Sequence, residues 1–340
     1  MKKIFIALFF VVPFFLQGAS VVIIGGGPVG LATAIEAKQS GFDVTVVEKR
    51  EGYSRWQTIL LLDSSLRLLE KWDVHIPEMK VMEFKDKKRM QKIGFVQIDI
   101  LEEALQKRAF DLGVTKIQGE FEEIKEKQKA IKIVSQNKKL ELSYDVLVGA
   151  DGIYSLTRKT LGMGCHLFGE AEAAVASIPF ANREMEFSLR KCQEGVFISK
   201  LVLSSKILLF LQVDSKQGPI KDAQTLFEDM CLKCGFEEES EAMINGKATI
   251  IDNIPVILQQ AETFSDDKRS IILVGDAAAT ASFLKGMGVN TGFLTASLAG
   301  RVFKGVLEEV SDVYEEFNKA MKETTDSLIK DSEFLFINKF

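Results

Sequence analysis

The chain has 340 residues, 46% of them hydrophobic, and a formal net charge of -5. That length holds a sizeable core and two domains. The acidic balance excludes a broad electrostatic footprint for nucleic acid. The first 20 residues, MKKIFIALFFVVPFFLQGAS, place Lys2 and Lys3 before an apolar run and end on Gly18, Ala19 and Ser20. This resembles a secretory signal peptide, and it is too short and too Pro-broken for a secure membrane span. Cleavage, a retained hydrophobic anchor and a packed leader helix all stay open. Export or membrane contact is favoured over a cytoplasmic chain.

Residues 21–24 form a continuous apolar run and read as a buried strand. Residues 30–39 read as a helix ended by Gly41, and residues 43–47 as the next strand, closing on Glu48. Strand, glycine turn, helix and strand make a right-handed βαβ unit. Helices are expected at 64–71 and 99–112, a short strand at 114–118, a hairpin over 121–134 and 138–142, and a strand at 146–148. The lysine-rich stretch 85–92 reads as a solvated turn or helix face. From about residue 171 to 251 short alternating stretches (185–189, 196–203, 207–213) predict a mainly antiparallel sheet, with a helix at 222–233 beside it. Buried-strand character returns at 271–274, followed by helices at 292–307 and 313–330.

Three motifs carry the chemistry. VVIIGGGPVG, residues 21–30, ends in G-x-G-x-x-G at Gly25, Gly27 and Gly30. Gly25 permits the tight turn, Gly27 lets the backbone approach a pyrophosphate, and Gly30 allows close helix–strand packing. The phosphates then meet the helix N-terminus. Glu48 is placed to accept from an adenosine ribose, and Arg50 beside it would repel neither phosphate. The middle motif is YDVLVGADGIYSLTR, residues 144–158. The late motif, IILVGDAAAT, puts Asp276 after a buried strand and Gly275, where a carboxylate can accept from a ribityl hydroxyl. GMGVNTG, residues 286–292, supplies Gly286, Gly288, Val289 and Asn290 ahead of a helix, with N–H groups for a flavin O2 edge. The expected cofactor is FAD, because NAD has no ribityl chain.

Taken in this order, the three motifs resemble the FAD-dependent monooxygenase superfamily of single-component aromatic hydroxylases over residues 21 to about 307. The segment 48–62 is also similar to the flavin domain of the MICAL enzymes. The resemblance implies an α/β fold: a Rossmann-like FAD-binding domain over 21–170 and 252–310, an inserted mainly antiparallel sheet substrate domain over 171–251, and a C-terminal helical region over 311–340. It implies that NADH or NADPH reduces FAD and that a flavin C4a-hydroperoxide passes one oxygen to an electron-rich small-molecule substrate. It also gives Asp151 and Arg158 roles in pyrophosphate handling. Three positions depart from the family pattern. Ala279 stands for a histidine, Phe283 for a proline near the flavin, and Asp99 for an arginine whose cofactor contact Gln97 would take over. A flavin oxidase or reductase without stable oxygen transfer, and a noncatalytic FAD-containing binding protein, stay open as alternatives. A two-nucleotide disulfide reductase is disfavoured by the lack of a second GxGxxG, and a flavin halogenase by the lack of a W-x-W-x-I-P segment. No catalytic side chain is evident. The stretches around Arg190, Phe210 and Phe283 are candidate pocket walls. His75 and His166 read as surface or structural residues. Of Cys165, Cys192, Cys231 and Cys234 only the last two are close, as C-L-K-C at what reads as the end of an amphipathic helix, and neither a metal site nor a disulfide is expected.

Overall fold

The computed structural model describes residues 18–52, 57–86, 89–180, 184, 186–203 and 205–336. Strand β1 (Ser20–Ile24) leads into helix α1 (Pro28–Gln39) and β2 (Asp43–Glu48). Then come β3 (Thr58–Leu62), α2 (Asp63–Trp72), β4 (Lys80–Asp86), β5 (Arg89–Gln97), α3 (Ile98–Asp111) and β6 (Thr115–Gln118). Strands β7 (Glu120–Lys125), β8 (Ala130–Ser135), β9 (Lys138–Ser143) and β10 (Val146–Gly149) precede the short helix α4 (Leu156–Thr160). The next group is β11 (Cys165–Pro179), β12 (Glu186–Gln193), β13 (Val196–Val202), β14 (Lys206–Asp214), α5 (Ala223–Lys233), α6 (Glu237–Ile244) and β15 (Thr249–Ala261). The chain finishes with β16 (Ser265–Asp266), β17 (Ile271–Leu273), β18 (Ala279–Thr280), α7 (Met287–Leu307) and α8 (Val313–Glu333).

The first sheet has the order β16-β17-β10-β1-β2-β6, and all its strands but β16 are parallel. Its apolar runs follow from burial on both faces, since successive side chains in a strand point to opposite sides. Val21, Ile23, Val44 and Val46 pack with the helices. Their neighbours Val22, Ile24 and Val47 pack against the small β7-β8-β9 sheet. Helices α1 and α7 lie together because α7 presents glycines to α1. A Cβ on Gly292 would stand 2.3 Å from Val29 Cγ2, and one on Gly300 would stand 2.5 Å from Glu36 Oε2.

The second sheet is antiparallel, in the order β12-β13-β14-β11-β15-β18. One face carries Ala174, Ile198, Leu209 and Leu211, which pack with Phe227, Met230 and Cys231 of α5 and with Phe236. Residues directly opposite one another share a face. Register therefore places Phe187 with Leu201, and Val175 with Phe210, on the other face. That face looks towards the first domain.

The structure corrects several local expectations. The hairpin expected at 121–142 is three strands, β7 to β9. Within the stretch 85–92, the described residues 85–86 and 89–92 belong to the β4–β5 hairpin. Beside this stretch Val81, Met82 and Met90 are exposed, so no buried face imposes at this end the alternation that marks a strand. Strands β11 and β15 extend the second sheet to Cys165 and Ala261, past the expected 171–251. Cys192 and Cys234 form a disulfide, against expectation. The C-L-K-C spacing makes Cys231 the sequence neighbour of Cys234, but Cys231 is buried and free. The membrane-associated reading of localisation is also corrected: among the described residues no helix is long and apolar enough to cross a membrane. Residues 1–17 of the leader lie outside the described residues.

Candidate functional site

The parallel strands deliver their C-terminal ends to one place. From β1 the chain builds outward through β2 to β6, then returns to the other side of β1 with β10 and β17. The reversal lies between β1 and β10, the position where open α/β sheets bind ligands. A cavity of about 810 Å³ opens there. It is lined at this end by Gly25, Gly27, Pro28, Glu48, Arg50, Asp151 and Asp276.

The first turn is built for close approach. Gly25 has φ +106°, and a Cβ on it would lie 2.3 Å from Ala150 O. A Cβ on Gly30 would lie 2.0 Å from Gly25 O. Pro28 opens α1, where its missing N–H costs nothing, and no acidic side chain occupies the first turn. The helix thus brings no negative charge of its own to this end, which faces the cavity and can receive a phosphate.

Glu48 is 4% exposed. Its Oε2 accepts from Gly26 N at 2.7 Å, and its Oε1 from Arg50 N at 2.9 Å and Arg50 Nε at 3.0 Å. Burial pushes its pKa up, but the hydrogen bonds from Arg50 and Gly26 outweigh this and hold it below 4.5. A carboxylate with several acceptor positions thus stands ionised beside the first glycine turn. Arg50 therefore fixes Glu48 directly, a partnership that spacing did not suggest.

Asp151 borders the cavity and also organises the chain behind it. Its Oδ1 accepts from Ser155 Oγ at 2.5 Å, and its Oδ2 from Thr157 N and Oγ1 at 2.9 and 3.0 Å. Ser155 in turn caps α4 by accepting from Arg158 N. Arg158 does not line the cavity. It is 4% exposed and donates to Ala277 O at 2.7 Å and Ile153 O at 3.3 Å, bracing the middle motif against the late one.

In the late motif Gly275 has φ +57° and donates its N–H to Thr295 Oγ1. It sits behind Asp276, which lines the cavity and is exposed. Gly286, Gly288 and Val289 also line it. A Cβ on Gly288 would meet nothing within 4 Å, so space stands in front of this backbone. Asn290 turns away. It is 2% exposed, accepts from Leu62 N and Ser65 Oγ, and donates to Leu60 O and Gly286 O, pinning β3 to the loop. Gln97 does not line the cavity, while Gln57 and Thr58, which pairs with Gln97 across β3 and β5, do. Asp99 holds Ile100 N, and Ala279 is buried in β18. The Glu48 carboxylate, the helix terminus and the glycine-edged segment, all lining one cavity, thus fit FAD.

The far end of the cavity is apolar: Val175, Phe187, Leu201, Phe210, Ile254 and Phe283. Phe210 and Phe283 meet nearly edge-on, with centroids 6.0 Å apart. Arg190 is not part of this wall; it donates to Cys234 O and lies over the Phe236 ring. Both histidines are exposed.

The sequence of a family described as "FAD binding domain" matches residues 78–316. The chain belongs to that family. A second description, "FAD dependent oxidoreductase", matches residues 20–59. This FAD-binding chain is 27% identical over 332 residues to "Uncharacterized protein MJ1520" of Methanocaldococcus jannaschii, covering 91% of this chain and 81% of the relative. Solved structures share its fold. A variant of PqsL from P. aeruginosa has TM-score 0.74 at 18% identity, covering 92% of this chain and 94% of that one. Aklavinone-11 hydroxylase with FAD and aklavinone has TM-score 0.73 at 17% identity, with 92% and 68% covered. The flavin-dependent halogenase CmlS has TM-score 0.73 at 16% identity, with 96% and 68% covered. The fold is that of the FAD-dependent monooxygenases.

Proposed function

We propose that the chain is an NAD(P)H-dependent FAD monooxygenase that puts one oxygen atom into an electron-rich, aromatic small molecule. One observation carries this reading: a single cavity joins a polar dinucleotide cradle to a chamber walled by Phe187, Leu201, Phe210 and Phe283. The balance is substrate C–H plus dioxygen, NAD(P)H and a proton giving C–OH, water and NAD(P)+. FAD, when bound, supplies the two-electron relay from nicotinamide to dioxygen.

The chain's own residues have separate tasks in this reading. Glu48, ionised and fixed by Arg50, holds the adenosine ribose. Gly25, Gly27 and the α1 N-terminus accept the pyrophosphate, and Asp276 takes the ribityl hydroxyls. The N–H groups after Gly286 offer positive charge to the ring edge. The apolar walls exclude water and orient the substrate ring. The 171–251 insert would provide the substrate side and 21–170 with 252–310 the cofactor side.

A second reading, an oxidase or reductase without oxygen transfer, is favoured by one feature: among the described residues no histidine lines the cavity. A phenol would find no imidazole there to take its proton. Stopped-flow mixing of FAD-loaded protein with NADH or NADPH, then with isotopically heavy dioxygen, separates the readings. The probes are a phenol panel and 2-aminobenzoylacetate, the molecule bound to PqsL in one structure. Heavy oxygen in a product, after a short-lived short-wavelength flavin transient, is the expected result. Peroxide formed in equal amount to nucleotide consumed, with every probe unlabelled, would sink the monooxygenase reading.

A further inference from the structure

We propose that Gln212 is a positioning residue that fixes the turn leading into the cofactor-facing loop, and that strand β14 thereby couples the apolar chamber to the cofactor cradle. The inference rests on the FAD reading above.

Gln212 lies in β14 and is fully buried. Its neighbours across the sheet are Phe197 on β13 and Ala173 on β11. An amide in such a place is costly unless both its ends are paired. Both are: Oε1 accepts from Ser282 Oγ at 2.5 Å, and Nε2 donates to Leu335 O at 2.9 Å. Ser282 is itself fully buried and caps the 3-10 turn Phe283–Lys285 by accepting from Leu284 N. Gly286, at φ +65°, ends that turn and caps α7, whose first turn, the cofactor-facing segment, carries Gly288 and Val289. The same strand grips the turn a second time. Phe210, two residues before Gln212 and on the same face, packs against Phe283. On its far side Lys285 Nζ donates to Asp331 O near the end of α8. The turn is thus held between a wall strand and the C-terminal helix. A ligand that presses on Phe210 moves the strand that sets the loop.

The test is FAD titration of the apoprotein, followed by visible circular dichroism of the bound flavin and thermal melting of each apo variant. The variants are Gln212→Leu, Ser282→Ala, their double, and Ser282→Thr. Leaving a buried partner unpaired is expected to weaken FAD binding about tenfold in each single variant. The double should lose less than the sum of the two singles, because both remove the Gln212–Ser282 bond. Ser282→Thr keeps the hydroxyl and should bind as wild type, and the flavin dichroism should change in the weakened variants alone. FAD affinity and dichroism unchanged in folded Gln212→Leu and Ser282→Ala, whatever their melting points, would overturn the proposal. If Gln212→Leu does not fold, the Ser282→Ala and Ser282→Thr comparison decides. Wild-type protein that takes up no FAD would overturn the cofactor reading itself, and this inference with it.

Discussion

Gly30 and Gly288 both belong to glycine motifs, yet the space around them differs. A Cβ at Gly30 strikes the Gly25 carbonyl at 2.0 Å, whereas one at Gly288 meets no protein atom within 4 Å. Gly30→Ala should therefore destabilise the apoprotein by about 3 kcal/mol through overpacking. Gly288→Ala, in the first turn of a helix, should leave the apo melting point unchanged or slightly raised. It should instead weaken FAD uptake by filling the cofactor's space. Equal apo melting points for the two variants would remove this distinction. Glu48 gives a second test at this scale. Its folded pKa lies below the ordinary 4.5, so the fold favours the ionised form. That contribution is fully present above the unfolded value and is lost as pH falls through the folded one. The stability of wild type over Glu48→Gln should accordingly shrink as pH is lowered below about 4.5. Thermal melts across pH measure it, and a gap independent of pH would contradict the assignment.

Among elements, the edge strand β12 has the most to gain from its disulfide. It pairs on one side with β13, and Cys192 joins it to Cys234 at the end of α5, 42 residues on. Closing a loop of that length constrains the unfolded chain by about 4 kcal/mol in the entropic account. Reductant should lower urea stability by up to that amount, and non-reducing peptide mapping should recover the Cys192–Cys234 pair. Burial, with the Glu239 carboxylate nearby, pushes the Cys231 thiol up to about 12. It stays protonated at neutral pH, so an alkylating reagent should label half-buried Cys165 before Cys231 in the native protein. Labelling of Cys192 and Cys234 without reductant would refute the pairing.

At the scale of the whole molecule, the residues that follow α8 close over the second sheet. Leu335 and Phe336 pack with Ala173, Val256, Leu258 and Leu284, which joins the second sheet to the turn beside the cofactor loop. Phe336 is 5% exposed, and Gly169 leaves room for its ring. Phe336→Ala should cost about 3–5 kcal/mol, read by denaturant unfolding. A loss below about 1 kcal/mol would mean that Phe336 is not part of the core.

The sequence by itself determined the βαβ unit, the three motifs in their order and the FAD-binding fold. Each of these is written in consecutive residues: an apolar run, glycines at a fixed spacing, an acid at a strand end. The period of two likewise announced the second sheet over most of its length. Tertiary structure decided which motif residues face the cavity. Asn290 and Arg158 stand within motifs, but their side chains turn back to tie distant segments together. Gln212, Ser282 and Leu335 are joined across 70 and 123 positions, and Cys192 to Cys234 across 42. Local pattern fixes the backbone turn because its dihedral angles depend on neighbouring residues. Where a side chain points, and what it meets, depends on chain segments that only folding brings together.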